Sequence, residues 1–229
     1  MKHPARNALP WETLAESGEV PVLLARHAQT AWNLERRMQG RSDIPLDEEG
    51  LQQARRLADW LEPTPLSGIF SSPLQRAMQT AAPVAAARGL AVRPLPGLEE
   101  LDQGELDGQR SDALLERYPD FFRAWRADPG GTRVPGGETL GECQDRAWPA
   151  LTAALADQRP GPPVLVVLHQ MVLSALLCRV EGAPLHRYGQ HSQRNTALNL
   201  LAWRDGALRL VRANIVEHLP PPPPRHLPV

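Results

Sequence analysis

Short apolar runs separated by amphipathic segments constrain the fold of this chain more than any other feature of its sequence. Val20 to Ala25 (VPVLLA) and Val164 to Leu168 (VLVVL) have the length and composition of strands buried on both faces. Gly68 to Ser71 and Leu90 to Leu95 are two further short strand candidates. Because predicted helices alternate with these strands, we expect an α/β fold. It would be a three-layer α/β/α sandwich with a mostly parallel sheet and a small inserted cap.

Three local predictions are specific enough to compare with a structure. The helix capped by Asp47 should bury Leu51 on its apolar face. The next helix should begin with Ser72 as its N-cap and Pro73 in its first turn. Near the C-terminal end, Arg204-Asp205-Gly206 separates two strand candidates and predicts a hairpin.

The length of 229 residues fits one domain of this class with a small insertion. We interpret residues 1–19 as a lead-in, residues 20–218 as the domain, and residues 219–229 as a proline-rich tail. Residues 96–138 alternate turn residues with short helical pieces. They predict the cap, inserted between elements of the core.

The composition argues against several classes of protein. Lys and Arg total 25 and Asp and Glu total 26, and this balance does not favour a dedicated nucleic-acid binder. No apolar stretch is long enough for a membrane span, and no signal peptide is visible in the first 20 residues. Cys143 and Cys178 fit neither a disulfide framework nor a zinc site, so we expect a cytoplasmic protein. In the absence of an HExxH motif or a close Asp/His cluster, we predict no metal and no cofactor.

Titratable residues follow three of the predicted strands. Arg26 and His27 end the first, Arg76 lies one turn into the helix after the second, and His169 ends the VLVVL strand. In a parallel sheet the functional crevice lies beyond the carboxyl ends of the strands, so these side chains should meet there.

Two arginines and two histidines in one crevice suit phosphoryl chemistry. Arginine binds a phosphate dianion with two parallel hydrogen bonds, and a neutral imidazole can attack phosphorus as a nucleophile. The second imidazole, if protonated, would add another donor. Taken singly, each residue also has a structural explanation: Arg26 could pair with a carboxylate, and one histidine after a strand is most often part of a turn.

The segment around His27 resembles a known signature. Leu24 to Asn33 is similar to the Arg-His-Gly-x-Thr-x-x-Asn motif of the histidine phosphatase superfamily, also called phosphoglycerate mutase-like. Five more segments resemble that family in the same order: Gln39–Leu46, Gly50–Ala54, Ser71–Thr80, Leu98–Gly108 and Pro135–Thr139. The resemblance covers about residues 20–200.

The resemblance implies a role for each matching residue. His27 would be the nucleophile that becomes phosphohistidine, and Glu100 would protonate the leaving oxygen and then activate water. Glu99 is the competing choice for that acid. The catalytic set is completed by Arg26, Arg76 and His169. The expected substrate-binding residues are Arg26, Asn33, Gln39, Arg76, His169 and Gln170.

Two positions depart from the family pattern, since Ala28 and Gln170 stand where glycine is usual. Ala28 is tolerable if its backbone avoids the left-handed region. Gln170 would narrow the pocket or add a substrate contact, and both departures raise the alternative of a catalytically weak phosphate-binding protein.

The resemblance implies a phosphomonoesterase of the histidine acid phosphatase type, independent of metals. Its predicted binding partner is a small phosphorylated metabolite, and the predicted assembly, if there is one, is a homodimer. Cofactor-dependent phosphoglycerate mutase is the alternative activity, but mutases carry a longer insertion than residues 109–134. In the cap, Arg123 and Arg126 are candidates to contact an acidic substrate. Phe121, Phe122 and Trp125 form either a wall over the site or the core of the cap.

Overall fold

The computed structural model describes residues 9–221, so most of the predicted tail lies outside the described residues. The strands are β1 (Val20–Arg26), β2 (Gly68–Ser71), β3 (Val92–Pro94), β4 (Val164–Leu168), β5 (Leu198–Arg204) and β6 (Ala207–Ile215). The helices are α1 (Trp11–Glu16), α2 (Ala31–Leu34), α3 (Glu48–Leu61), α4 (Gln75–Ala86), α5 (Ser111–Arg117), α6 (Pro119–Ala127), α7 (Leu140–Ala156) and α8 (Gln170–Val180). Two 3-10 segments cover Gly104–Leu106 and Leu185–His191.

One sheet with the order β3-β2-β4-β1-β5-β6 forms the middle layer. The first four strands are parallel, and β5 and β6 are added in antiparallel pairs. Along β1, Val22 and Leu24 pack in the cluster of α7 and α8, whereas Leu23 and Ala25 pack in the cluster of α3 and α4. This two-sided burial explains the uninterrupted apolar runs, and the predicted α/β sandwich is confirmed.

The register of the parallel strands brings the predicted site residues to one edge of the sheet. Arg26 on β1 pairs with Leu168 on β4, and Ser71 on β2 pairs with Val167. The residues that follow, among them His27 and His169, therefore leave the sheet at the same edge.

Two helices differ in detail from the predictions. Leu51 is 41% exposed, because it lies at the edge of the apolar stripe of α3 that Ala54, Leu57 and Leu61 form. Helix α4 begins at Gln75 and not after Ser72, and its N-cap makes no side-chain hydrogen bond. The prediction of Ser72 as N-cap is therefore wrong.

Two turns have clear local causes. The hairpin between β5 and β6 is confirmed, and Asp205 (φ 50°) and Gly206 (φ 84°) supply the positive φ values that such a tight turn needs. Between β1 and α3, Thr30 and Asn33 form a capping box that starts α2.

Residues 96–138 carry α5, α6 and a 3-10 segment. Their apolar side chains, which include Leu98, Leu106, Leu114 and Trp125, belong to the same cluster as those of α7 and α8. This segment therefore packs on the α7/α8 side of the sheet.

Candidate active site

His27 follows β1 and its imidazole is almost fully buried, with 3% of the residue exposed. Nδ1 lies 2.7 Å from the carbonyl oxygen of Ala28. Because a carbonyl only accepts, Nδ1 carries the proton and Nε2 keeps its lone pair. Burial lowers the pKa of His27 well below its usual value, and the charges of Arg76 and Arg26 lower it further. The ring is therefore a neutral imidazole at physiological pH, the form that can act as a nucleophile.

His169 has the opposite tautomer. Nε of Arg76 donates to Nδ1 of His169 over 3.1 Å, so Nδ1 holds the lone pair and Nε2 holds the proton. Nε2 then donates to Oγ of Ser72 over 2.7 Å. Burial, followed by the charge of Arg76, lowers the pKa of His169 well below its usual value. The His169 ring is therefore neutral, and the additional donor that its protonated form would supply is not present. The two histidine rings are 5.2 Å apart between centroids.

Arg76 is fully buried and held by its own hydrogen bonds. Its Nη1 donates to the carbonyl of Ser42 (2.8 Å), its Nη2 to that of Gly40 (2.7 Å), and its Nε to His169. These contacts use three of the five N–H donors of a guanidinium group and leave one on each Nη. These two residual N–H groups are the donors that we assign to a phosphoryl group.

Arg26 also has spare donors. Its Nη1 donates to the carbonyl of Gln193 over 2.5 Å, while its buried Nε has no partner among the described residues. Burial lowers the pKa of Arg26 to about 10, with Glu100 opposing the shift, so the group stays charged at neutral pH. A second buried donor without a described partner is Nε2 of Gln39, whose Oε1 accepts from Oγ1 of Thr30 (3.2 Å). Unsatisfied buried donors are costly, and an anion would satisfy them.

Glu100 is buried at the start of α8. Its Oε1 accepts from the N–H groups of Leu101 (2.8 Å) and Val172 (3.2 Å), and its Oε2 from that of Met171 (3.1 Å). Burial raises the pKa of Glu100, and these N–H groups and Arg76 oppose the shift. A raised pKa favours the protonated form of the carboxyl, which is the form that a general acid needs.

Glu99 has different surroundings. Its Oε2 accepts from the N–H of Gly97 (2.8 Å) and lies 3.8 Å from Nη1 of Arg146. The structure thus brings Glu100, and not its neighbour, to the arginines and histidines of the crevice.

Arg146 on α7 fixes the segment that carries both acids. It donates to the carbonyls of Gly97 (2.7 Å) and Glu100 (2.9 Å) and pairs with the carboxylate of Glu138. No sequence pattern pointed to Arg146, because two of its acceptors are backbone atoms of a segment remote in sequence.

Two predicted substrate contacts differ in their surroundings. Asn33 lies beside Gln39 and accepts from Nδ2 of Asn195 (3.3 Å), which also donates to the carbonyl of His27 (3.0 Å). Asn195 was missed by the sequence analysis. The amide of Gln170 bonds Ser174 (2.8 Å), the carbonyl of His191 (3.1 Å) and the N–H of Gln193 (3.0 Å). The side chain of Gln170 thus ties α8 to residues 191–193, and its contact with a substrate stays a prediction.

Comparison with known proteins assigns the chain to a family. The model of the histidine phosphatase superfamily (branch 1) matches residues 22–216. The chain belongs to this superfamily. Phosphoserine phosphatase 1 of Hydrogenobacter thermophilus is 31% identical over 200 residues, which cover 87% of this chain and 94% of that protein. A probable phosphoglycerate mutase of Cronobacter sakazakii is 34% identical over 206 residues, covering 88% and 95%.

The fold is also similar to that of a mycobacterial glucosyl-3-phosphoglycerate phosphatase solved with VO3. The two structures superpose with a TM-score of 0.78 at 29% identity, over 86% of this chain and 99% of the other. This histidine phosphatase therefore has close relatives under both phosphatase and mutase names.

The departure at Ala28 is compatible with the fold of a histidine phosphatase. Ala28 does not have a positive φ, and its methyl group packs against Leu46 and Ala54. Its N–H donates to Oγ1 of Thr80 (2.9 Å). The glycine usual at this position is therefore not required for the turn after His27.

Within residues 9–221, no three His, Cys, Asp or Glu side chains are grouped so that they could hold a metal ion. None of the helices in that range is long and apolar enough to cross a membrane.

Proposed function

We propose that this histidine phosphatase hydrolyses small phosphate monoesters through a phosphohistidine formed on Nε2 of His27. One observation carries the proposal. A neutral imidazole with a free Nε2 lone pair lies in a crevice whose two buried arginines, Arg26 and Arg76, keep spare N–H donors. That combination offers a nucleophile and a site for a dianion in the same place.

In the first step of the proposed reaction, Nε2 of His27 forms a bond to phosphorus and the ester P–O bond breaks. Glu100 gives its proton to the departing oxygen, so the leaving group departs as an alcohol. Arg26 and Arg76 hold the non-bridging oxygens throughout.

In the second step, water gives a proton to the Glu100 carboxylate and its oxygen attacks phosphorus. The P–N bond breaks, orthophosphate leaves, and His27 and Glu100 return to their starting states. We assign His169 to the phosphoryl oxygens through its Nε2–H, which lies within hydrogen-bond distance of Ser72 Oγ.

The test of this mechanism is a rapid-quench experiment with a substrate labelled in its phosphoryl group. We expect an acid-labile, base-stable phosphoprotein in the wild type. His27→Ala should yield none, lose turnover and keep its far-UV circular dichroism. Unchanged turnover in His27→Ala would overturn the proposal.

Hydrolysis is favoured over mutase activity because residues 109–134 form a short connection. Two helices, α5 and α6, occupy it, and Asp112, Asp120 and Arg123 lie exposed on them. A mutase must keep water from the phosphohistidine until the phosphoryl group is returned. The relatives named as probable mutases motivate the alternative activity.

Phosphate release should therefore be compared with interconversion of 2- and 3-phosphoglycerate, with and without 2,3-bisphosphoglycerate. Efficient interconversion with little phosphate release would make the enzyme a mutase.

The finer class, a metal-independent enzyme of the histidine acid phosphatase type, is part of the same proposal. Phosphate release should be unchanged after dialysis against a chelator, and loss of activity that Zn²⁺ or Mg²⁺ restores would contradict it.

We also propose that the enzyme works in the reducing cytoplasm. Cys143 and Cys178 are both free and buried, which is compatible with that compartment. A homodimer remains a prediction, to be measured by light scattering.

A further inference from the structure

A cavity of about 120 Å³ lies under the aromatic side chains of α6. Phe121, Phe122 and Trp125 form one part of its wall, and Met38 and Met171 contribute to the rest. These rings pack in or against the core cluster of the α7/α8 side and also line this cavity.

The cavity adjoins the proposed acid. Met171 lines it, and the N–H of the same residue donates to Oε2 of Glu100 over 3.1 Å. Gln103, which also lines it, lies against Gly40, where an added Cβ would come within 2.8 Å of the Gln103 nitrogen. The carbonyl of Gly40 in turn accepts from Nη2 of Arg76. The wall of the cavity thus includes Met171, which is hydrogen-bonded to the acid, and Gln103, which lies against the glycine that holds Arg76.

The acid identifies what would occupy this space. In the proposed reaction Glu100 protonates the oxygen that joins phosphorus to the organic group, so that oxygen must lie within hydrogen-bond reach of its carboxyl group. The organic group extends from this oxygen. Because Met171 both bonds the carboxyl group and lines the cavity, the cavity is the space assigned to the organic group.

The chemistry of the wall selects the organic group. The residues that line the cavity include no Lys, Arg, His, Asp or Glu. Its polar side chains, Gln103 and Tyr188, are both uncharged, and the Tyr188 hydroxyl accepts from Nε1 of Trp125 (3.1 Å). A carboxylate placed here would lose its water without gaining a counter-charge, whereas an apolar group would be stabilised by burial.

The cap arginines do not supply that counter-charge. Arg123 is exposed and pairs with Asp120 over 3.0 Å, and Arg126 is exposed as well. Neither lines the cavity. The expectation that they contact an acidic substrate is therefore not supported by their position.

We infer that this enzyme selects phosphate monoesters whose organic group is uncharged and apolar, of about the size of one six-membered ring or a short branched alkyl chain. The inference rests on the proposed function, since it takes the position of the leaving group from Glu100. The size follows from the volume, because an apolar cavity of about 150 Å³ holds one benzene molecule.

The test uses ligands of equal shape and different charge. 3-Methylbutylphosphonate and 3-phosphonopropionate differ in having an isopropyl group or a carboxylate at the same end, and neither can be hydrolysed. We expect calorimetric titration of the wild type to give at least about tenfold tighter binding of the apolar phosphonate. The corresponding esters, isobutyl phosphate and phosphoglycolate, should differ in kcat/KM in the same direction.

A matched pair of variants identifies the cavity as the cause. Met38→Lys places a cation in the wall and should reduce the binding ratio by at least about tenfold, whereas Met38→Leu should keep it. Equal binding of the two phosphonates by the wild type, or tighter binding of 3-phosphonopropionate, would overturn the inference even if both esters are hydrolysed. If neither ester is hydrolysed while the apolar phosphonate still binds more tightly, the proposed reaction fails and the selectivity of the cavity stands.

Discussion

Replacement of Arg76 by lysine separates the charge of this residue from its hydrogen bonds. The guanidinium donates to the carbonyls of Gly40 and Ser42 and to Nδ1 of His169, all within 3.1 Å. An ammonium group occupies one point and keeps at most one of these three directions, so two buried acceptors lose their donor. At about 1–3 kcal/mol for each, the free energy of unfolding should fall by about 2–6 kcal/mol.

The same substitution removes the two N–H donors that we assign to the phosphoryl group. Loss of one positioned donor at a developing charge typically costs about 10²–10³-fold in rate, and we expect kcat/KM to fall by at least about 10²-fold. Urea unfolding followed by circular dichroism and an assay of phosphate release measure the two effects. A domain of this size should also unfold at least about 4 °C lower.

Arg88→Lys is the matched control. Arg88 follows α4 and donates to the carbonyls of Val84 (3.1 Å), Leu61 (2.5 Å) and Thr64 (3.2 Å), which lie at the C-terminal ends of α3 and α4. Its replacement should reduce stability and leave kcat/KM within about twofold of the wild type. The reasoning is refuted if Arg76→Lys unfolds within about 0.5 kcal/mol of the wild type, or if Arg88→Lys loses as much activity as Arg76→Lys.

Three further outcomes are expected. Glu100→Gln should slow the hydrolysis of alkyl phosphates by about 10²–10⁴-fold and that of aryl phosphates far less, because good leaving groups need little protonation. Glu99→Gln should leave both rates near those of the wild type. The reverse pattern would identify Glu99 as the acid. Ser72→Ala removes the acceptor of the His169 Nε2–H and should shift the ¹⁵N resonances of that ring; an unchanged spectrum would contradict the tautomer. Burial lowers the pKa of His218 from 6.5 to about 4, so the unfolded chain binds the proton more readily and stability rises with pH between about 4 and 6.5. Between pH 7.5 and pH 4, the free energy of unfolding of the wild type should therefore fall by about 3 kcal/mol more than that of His218→Gln. Urea unfolding at both pH values measures this difference, and parallel pH profiles of the two proteins would disprove the linkage.

The convergence of Arg26, His27 and His169 could be predicted from the sequence for a physical reason. Strands buried on both faces must be apolar throughout, so their ends are visible as the first polar residues. Parallel pairing then brings all carboxyl ends to one edge, and no knowledge of the loops is needed.

The contacts that hold these residues could not be predicted in the same way. Arg76 is fixed by the carbonyls of Gly40 and Ser42, and a backbone acceptor leaves no trace in residue type. Ser72 fits the pattern of an N-cap, but its hydroxyl accepts from His169. Gln170 follows His169 directly and carries an amide of the kind that binds phosphoryl oxygens. In the structure this amide is hydrogen-bonded to the backbone of His191 and Gln193, and the local sequence pattern did not specify the path of residues 191–193.

The charges around Glu100 link substrate binding to the timing of proton transfer. In the free enzyme, the positive charge of Arg76 opposes the rise that burial causes in the pKa of Glu100. A phosphate dianion bound to both arginines offsets that positive charge and brings negative charge towards the carboxyl, so each effect favours the protonated acid. We therefore expect the pH profile of kcat, which reports the complex, to lose activity at a higher pH than the profile of kcat/KM after correction for the ionisation of the free substrate. Coincident alkaline limbs would show that the bound dianion does not act on Glu100, and Glu100→Gln should remove the limb from both profiles.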